Sequence, residues 1–143
     1  MPNPYVGKYQ KISSEGESII VKSIDSATRS IIAAKAAKQR LNEGDKDAGR
    51  QNLQKIFDEI DLLTRCAGLV TDPNLSSQIS IFYMDISMRN GKAIMDFSGP
   101  DAVEEIIGKF EEVKKFWQDI QTQLANQSRS ENNPPEDSSS SKD

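Results

Sequence analysis

The sequence predicts an all-α protein, an antiparallel four-helix bundle, and three observations carry that prediction. Apolar residues recur at alternating steps of three and four along four separate stretches, the spacing that gathers a set onto one helical face. Strand-like alternation recurs nowhere in the chain. Short segments rich in Gly, Asp and Pro separate the stretches, and long helices joined by short turns pack as antiparallel neighbours.

The first stripe is Ile20, Ile24, Ala27, Ile31 and Ala34, continued by Lys38 and Leu41. Before it, Ser14-Glu15-Gly16-Glu17 fits a capping box, with Ser14 at the N-cap and Glu17 reaching back. Gly44 then offers a stop and Asp45 an N-cap for the second helix, whose stripe is Leu53, Ile56, Ile60, Leu63 and Ala67. Gly68 marks its end, and Asp72-Pro73 supplies a cap followed by proline at the first helical position. The third stripe is Leu75, Ile79, Phe82 and Ile86, with Ala93 and Phe97 beyond it. Gly99-Pro100-Asp101 repeats the punctuation before the fourth, Val103, Ile106, Phe110, Val113, Trp117, Ile120 and Leu124. Helices are therefore expected at about 15–43, 46–68, 73–97 and 101–125; at a rise of ~1.5 Å per residue, a helix of about 25 residues is close to 38 Å long.

The bundle domain is expected to span 1–125. From Asn126 to Asp143 the chain has no apolar side chain, and it carries Pro134-Pro135 and four consecutive serines from Ser138. Such a segment buries too little apolar area to offset the entropy of ordering it, so 126–143 reads as a disordered acidic tail. The N-terminal segment holds two of the three tyrosines, Tyr5 and Tyr9. Their i, i+4 spacing suits one helical turn packed on the bundle, against the plainer reading of a disordered start.

Composition excludes several kinds of chemistry. The chain has 143 residues, 36% of them apolar, enough for one core. Histidine is absent, which removes Ser-His-Asp and Cys-His nucleophilic sites, histidine zinc helices and the Glu-x-x-His pairs of di-iron bundles. Cys66 is the one cysteine, insufficient for an internal disulfide or a structural zinc site. No Gly-rich phosphate loop occurs, and acid pairs such as Asp58/Asp61 and Glu111/Glu112 sit among Lys and Arg as a solvated face would. A net charge of -4 argues against a nucleic-acid partner. No apolar run approaches a membrane span, and Met1-Pro2-Asn3-Pro4-Tyr5 does not read as a secretory signal. The expectation is a cytoplasmic protein that is not an enzyme, holds no cofactor or metal, and binds neither nucleic acid nor membrane.

What remains is apolar content beyond the four stripes: Phe57 and Cys66 on the second helix, Tyr83, Met84, Met88 and Met95 on the third, Ile107 and Phe116 on the fourth. One face of each helix suffices for a bundle core. The surplus either widens the core or lines a groove that a partner helix can occupy. Methionine suits a groove by adapting its shape, and tyrosine by tolerating partial exposure. A cluster of small residues on the first helix, Ser23, Ala27, Ser30, Ala33, Ala34, Ala36 and Ala37, points to close packing against a neighbour.

Residues 3–121 resemble the flagellin export chaperone (FliS) family through motifs that keep order and spacing. Asn3-Pro4-Tyr5 with Tyr9 resembles its tyrosine-bearing start, and Ile24-Asp25-Ser26-Ala27 through Ala34-Lys35 its Tyr-Asp-Gly-Ala helix. Gly44-Asp45 matches the first turn and Lys55-Ile56-Phe57-Asp58-Glu59-Ile60 the helix after it. Phe82-Tyr83 stands where the family has Leu-Tyr, and Val103 to Trp117 resembles its closing helix. The chain departs from the pattern at Ile24 for tyrosine, Ser26 for glycine, Ala93-Ile94 for Ala-Asn, and in its tail, as a divergent member would.

The resemblance implies a cytoplasmic bundle that holds the C-terminal segment of flagellin, blocks premature polymerisation and delivers its client to the export gate. It also implies a movable N-terminal segment near the client groove. The partner-binding residues expected on these grounds are Tyr5, Tyr9, Ile56, Phe57, Ile60, Phe82, Tyr83 and Met88, with Asp25 positioning the first helix; Trp117 is expected in the core. A client that orders on binding loses conformational entropy, so its affinity is moderate and reversible, as delivery requires. The rival reading is a helical adaptor or dimerising scaffold that uses the same apolar surface for another helical client.

Overall fold

Four α-helices follow one another in a computed structural model: α1 Glu15–Asn42, α2 Lys46–Gly68, α3 Pro73–Met95 and α4 Pro100–Asn132. The structure describes residues 15–95 and 100–132, with side chains for 18–95 and 101–126. Tyr5, Tyr9, the expected Ser14 cap, Phe97 and the segment from 133 onward lie outside the described residues.

The turns form where the sequence punctuates them. Gly44 takes φ +84°, a conformation that glycine adopts without steric cost, and its N–H donates to the Leu41 carbonyl at 3.0 Å. Asp45 then caps α2, its carboxylate accepting from the Ala48 N–H at 3.1 Å. Asp72 caps α3 through two bonds, from the N–H groups of Asn74 at 2.8 Å and Leu75 at 3.0 Å. Gly68 ends α2 as expected, without a left-handed turn. Gly44 is the one described residue with positive φ, and Leu69 closes α2 with a tightened last turn, donating to the Cys66 carbonyl at 3.1 Å.

One boundary departs from expectation. Residues 126–132, assigned from composition to the disordered tail, continue α4. Their lack of apolar side chains does not stop them, because extending a helix already nucleated adds a hydrogen bond for each residue fixed. No proline intervenes before Pro134.

Neighbours run antiparallel. Between α2 and α3 the partners are Arg50 with Ile94, Leu53 with Asn90 and Ala67 with Ser76, so numbering rises on one helix as it falls on the other. All seven residues of the fourth stripe face inward, six buried and Leu124 partly so. The first and second stripes likewise supply core, and the largest sealed side chains are Trp117, Tyr83 and Phe110.

The four seams are unequal. α1 packs extensively on both α2 and α4, α2 packs on α3, and α3 and α4 meet only sparingly. Side-chain size explains the order. α1 buries Ser23, Ser26, Ala27, Ser30, Ala34 and Ala37, which let neighbouring backbones approach. The Ser26 hydroxyl reaches the Glu59 carboxylate at 2.8 Å, and Arg29 holds the same carboxylate at 3.0 Å. α3 and α4 instead set Phe82 and Tyr83 against Phe116 and Trp117, and four aromatic rings keep the helices apart.

Candidate functional site

The sparse α3–α4 seam opens into an apolar cleft of about 370 Å³. Leu75, Ile79 and Phe82 form the α3 wall, Val113 and Phe116 the α4 wall, and Tyr83 and Trp117 the floor; Gln78 and Glu112 stand at the mouth. The floor is tied across the seam, where the Trp117 Nε1–H donates to the Tyr83 hydroxyl at 2.8 Å. Phe116 meets the indole edge-on, centroids 5.3 Å apart at 82°, a favoured aromatic geometry. Burial pushes the Tyr83 phenol well above its ordinary range; the bond to Trp117 opposes that rise and the nearby Cys66 adds to it. The floor is therefore neutral at any physiological pH.

The walls carry charge only at their rims. Lys109 lies over the Phe82 ring, 5.6 Å from its centroid, close enough for a cation–π attraction. Further along the seam Arg89 bonds Asp85 at 2.9 Å and Glu105 at 2.7 Å, and both bonds raise its guanidinium pKa. An apolar side chain entering the cleft meets rings and aliphatic walls without displacing a buried charge. Among the described residues no group of three or more Cys, Asp or Glu could hold a metal ion, and no helix is long and apolar enough to cross a membrane.

The residues expected to bind a partner divide into separate places. Phe82 is half-buried on the cleft wall with Tyr83 beside it beneath the floor, but Tyr83 is a correction as a contact residue: it is 2% exposed, sealed where its hydroxyl accepts from Trp117 across the seam. Ile56 and Ile60 are a correction: both are sealed in the core and present no surface to a client, because they belong to the α2 stripe that faces inward. Phe57 is half-buried at the α2–α3 seam, its ring against Gly91 of α3. Met88 is exposed on the outward side of α3, away from the cleft. Asp25 is exposed on α1, where its charge supports Arg29. Tyr5 and Tyr9 fall outside the described residues.

Phe116 was the cleft residue that sequence reasoning left among the surplus apolar positions without assigning it to partner binding. Its signal was available: an aromatic one position off a stripe, beside the stripe's own tryptophan. A smaller hollow of about 290 Å³ lies between α1 and α2, bordered by Ile19, Leu62, Cys66 and Leu69 with Lys22 and Arg65 at its edge. Comparison with protein-family models, curated proteins and solved structures finds no match for this chain.

Proposed function

We propose that this chain is a binding protein of the flagellin export chaperone type. In this reading it works in the cytoplasm, holds the C-terminal segment of flagellin as an apolar helix, keeps that segment from polymerising and releases it at the export gate. The observation that supports the reading best is the α3–α4 cleft, whose walls are Phe82 and Phe116 and whose floor is uncharged. Its volume of about 370 Å³ falls within the range of roughly 300–1,000 Å³ typical of ligand-holding clefts.

A client helix seats apolar residues at i, i+3, i+4 and i+7 into such a groove. Binding transfers that apolar surface out of water, and ordering the client offsets part of the gain. No bond is made or broken, so the absence of histidine is no obstacle.

The test is fluorescence polarisation of a labelled flagellin C-terminal peptide with the full chain. Trp117, the single tryptophan, reports from the cleft floor without a label. Saturable binding in the low to middle micromolar range, accompanied by a change in tryptophan emission, is the expected result. No binding at tens of micromolar refutes the client assignment.

A further inference from the structure

From Ile81 to Met95, the line of α3 that points directly away from the core is apolar. Ile81 is 62% exposed, Met84 62%, Met88 70% and Met95 87%. At ~100° per residue these four fall within about 60° of arc, opposite the buried line Ile79, Tyr83, Ile86, Asn90 and Ala93. On an ordinary soluble helix that line is polar.

The stripe also has an internal symmetry. Ile81 lies seven residues before Met88 and Met95 seven after. Asp85 and Lys92, of opposite charge, lie three before and four after Met88 on one flank of the stripe. We propose that this face of α3 is a homodimer interface, occupied by α3 of a second copy running antiparallel about a two-fold axis at Met88.

In that register Met88 meets Met88 of the second copy, and Ile81 comes level with Met95 of the second copy. A two-fold axis perpendicular to both helices keeps each flank against the same flank of its mate. Asp85 therefore falls within one residue of level with Lys92 of the second copy, and the attraction occurs twice. With the helices parallel, the two-fold axis runs along them and sets each flank against the opposite flank of its mate, where α3 carries Ser80, Ser87 and Gly91 and offers Asp85 no such complement. The stripe runs about 21 Å along the helix at ~1.5 Å per residue and offers well under the ~800 Å² per partner of a standard stable interface. The dimer is accordingly concentration-dependent. Phe82 sits more than a quarter turn of α3 away from the stripe, so the cleft stays open in the dimer, and this proposal does not depend on the client reading.

Sedimentation equilibrium on the full chain from low-micromolar to near-millimolar concentration tests it. The average mass should climb from the monomer's 15.9 kDa towards twice that value. Met88→Asp, at an exposed position, should hold the chain at monomer mass with an unchanged melting curve. Lys92→Glu should weaken association about tenfold, and Asp85→Lys with Lys92→Glu should recover it. A monomer at every concentration, or a dimer that survives Met88→Asp, overturns the proposal; failure of the charge swap to restore association overturns the antiparallel register. A flagellin peptide that dissolves the dimer would make the stripe part of a client surface and also overturn it. Peptide binding unchanged by Met88→Asp supports separate faces.

Discussion

Asn90 is the core position where sequence pattern and burial disagree most. It occupies a core site of α3 with no exposed surface, its Nδ2 donating to the Leu53 carbonyl of α2 at 2.9 Å. Its Oδ1 is buried with no hydrogen-bond partner among the described residues. An unpaired buried acceptor costs about 1–3 kcal/mol, while a single neutral hydrogen bond contributes about 0.5–1.5 kcal/mol net. Leucine has the same number of side-chain heavy atoms and the same branching, with a tetrahedral and bulkier end that the core must accommodate. Asn90→Leu therefore removes the unpaired oxygen and adds apolar burial, at the loss of one bond to a carbonyl that also accepts within its own helix. The expected outcome is a gain of about 1–3 kcal/mol, read as a higher urea midpoint and a melting temperature raised by roughly 3–10 °C. Asn90→Ala, which leaves a void as well as losing the bond, should be destabilised by about 1–3 kcal/mol. If Asn90→Leu instead loses more than about 1 kcal/mol, the amide oxygen is satisfied in solution and the reasoning fails.

Three further outcomes follow from the site and the turns. Under the proposed function, Phe82→Ala withdraws a ring of which a client would cover roughly 50 Å², worth about 1.3 kcal/mol, so peptide affinity should fall about tenfold; polarisation titration with undiminished binding would remove Phe82 from the proposed client surface. Tyr83 makes stability sensitive to alkali: its phenol is held neutral by burial when folded but ionises near pH 10 when unfolded. Its contribution is intact below that pH and lost above it at up to about 1.4 kcal/mol per pH unit, and a wild-type minus Tyr83→Phe stability difference that stays flat to about pH 11 contradicts this. Gly44→Ala has nothing within 4 Å to collide with, so denaturant melts should show only the backbone cost of φ +84°, about 1 kcal/mol.

Helix placement was legible because caps and periodicity act locally. Asp45, Asp72 and Gly44 need only their own turns to do their work, and the α4 stripe needs only its own face. Which of two adjacent apolar residues turns inward is decided by another helix. Three-four spacing runs the α3 stripe through Phe82 and puts Tyr83 on the second face. The structure seals Tyr83 and leaves Phe82 half-buried, because the Trp117 indole satisfies the hydroxyl. Nothing near position 83 announces a donor 34 residues away. Asn90 was invisible for the same reason, its partner lying on α2. Ile56 and Ile60 fit both the inward stripe and the groove motif, and packing on α1 and α3 resolves them to the core.

The same tyrosine–tryptophan pair explains why the cleft exists. An apolar hollow in water tends to close, since burying its walls against each other is favourable. Closing the α3–α4 seam would require the two rings of the floor to slide past one another, breaking a buried hydrogen bond whose partners are both sealed from solvent. The Arg89–Glu105 pair also spans the seam, but it is largely exposed and such pairs contribute little. The buried pair is therefore the spacer. A cleft held open in the free protein loses little further freedom when an apolar side chain enters it, and that preorganisation favours binding.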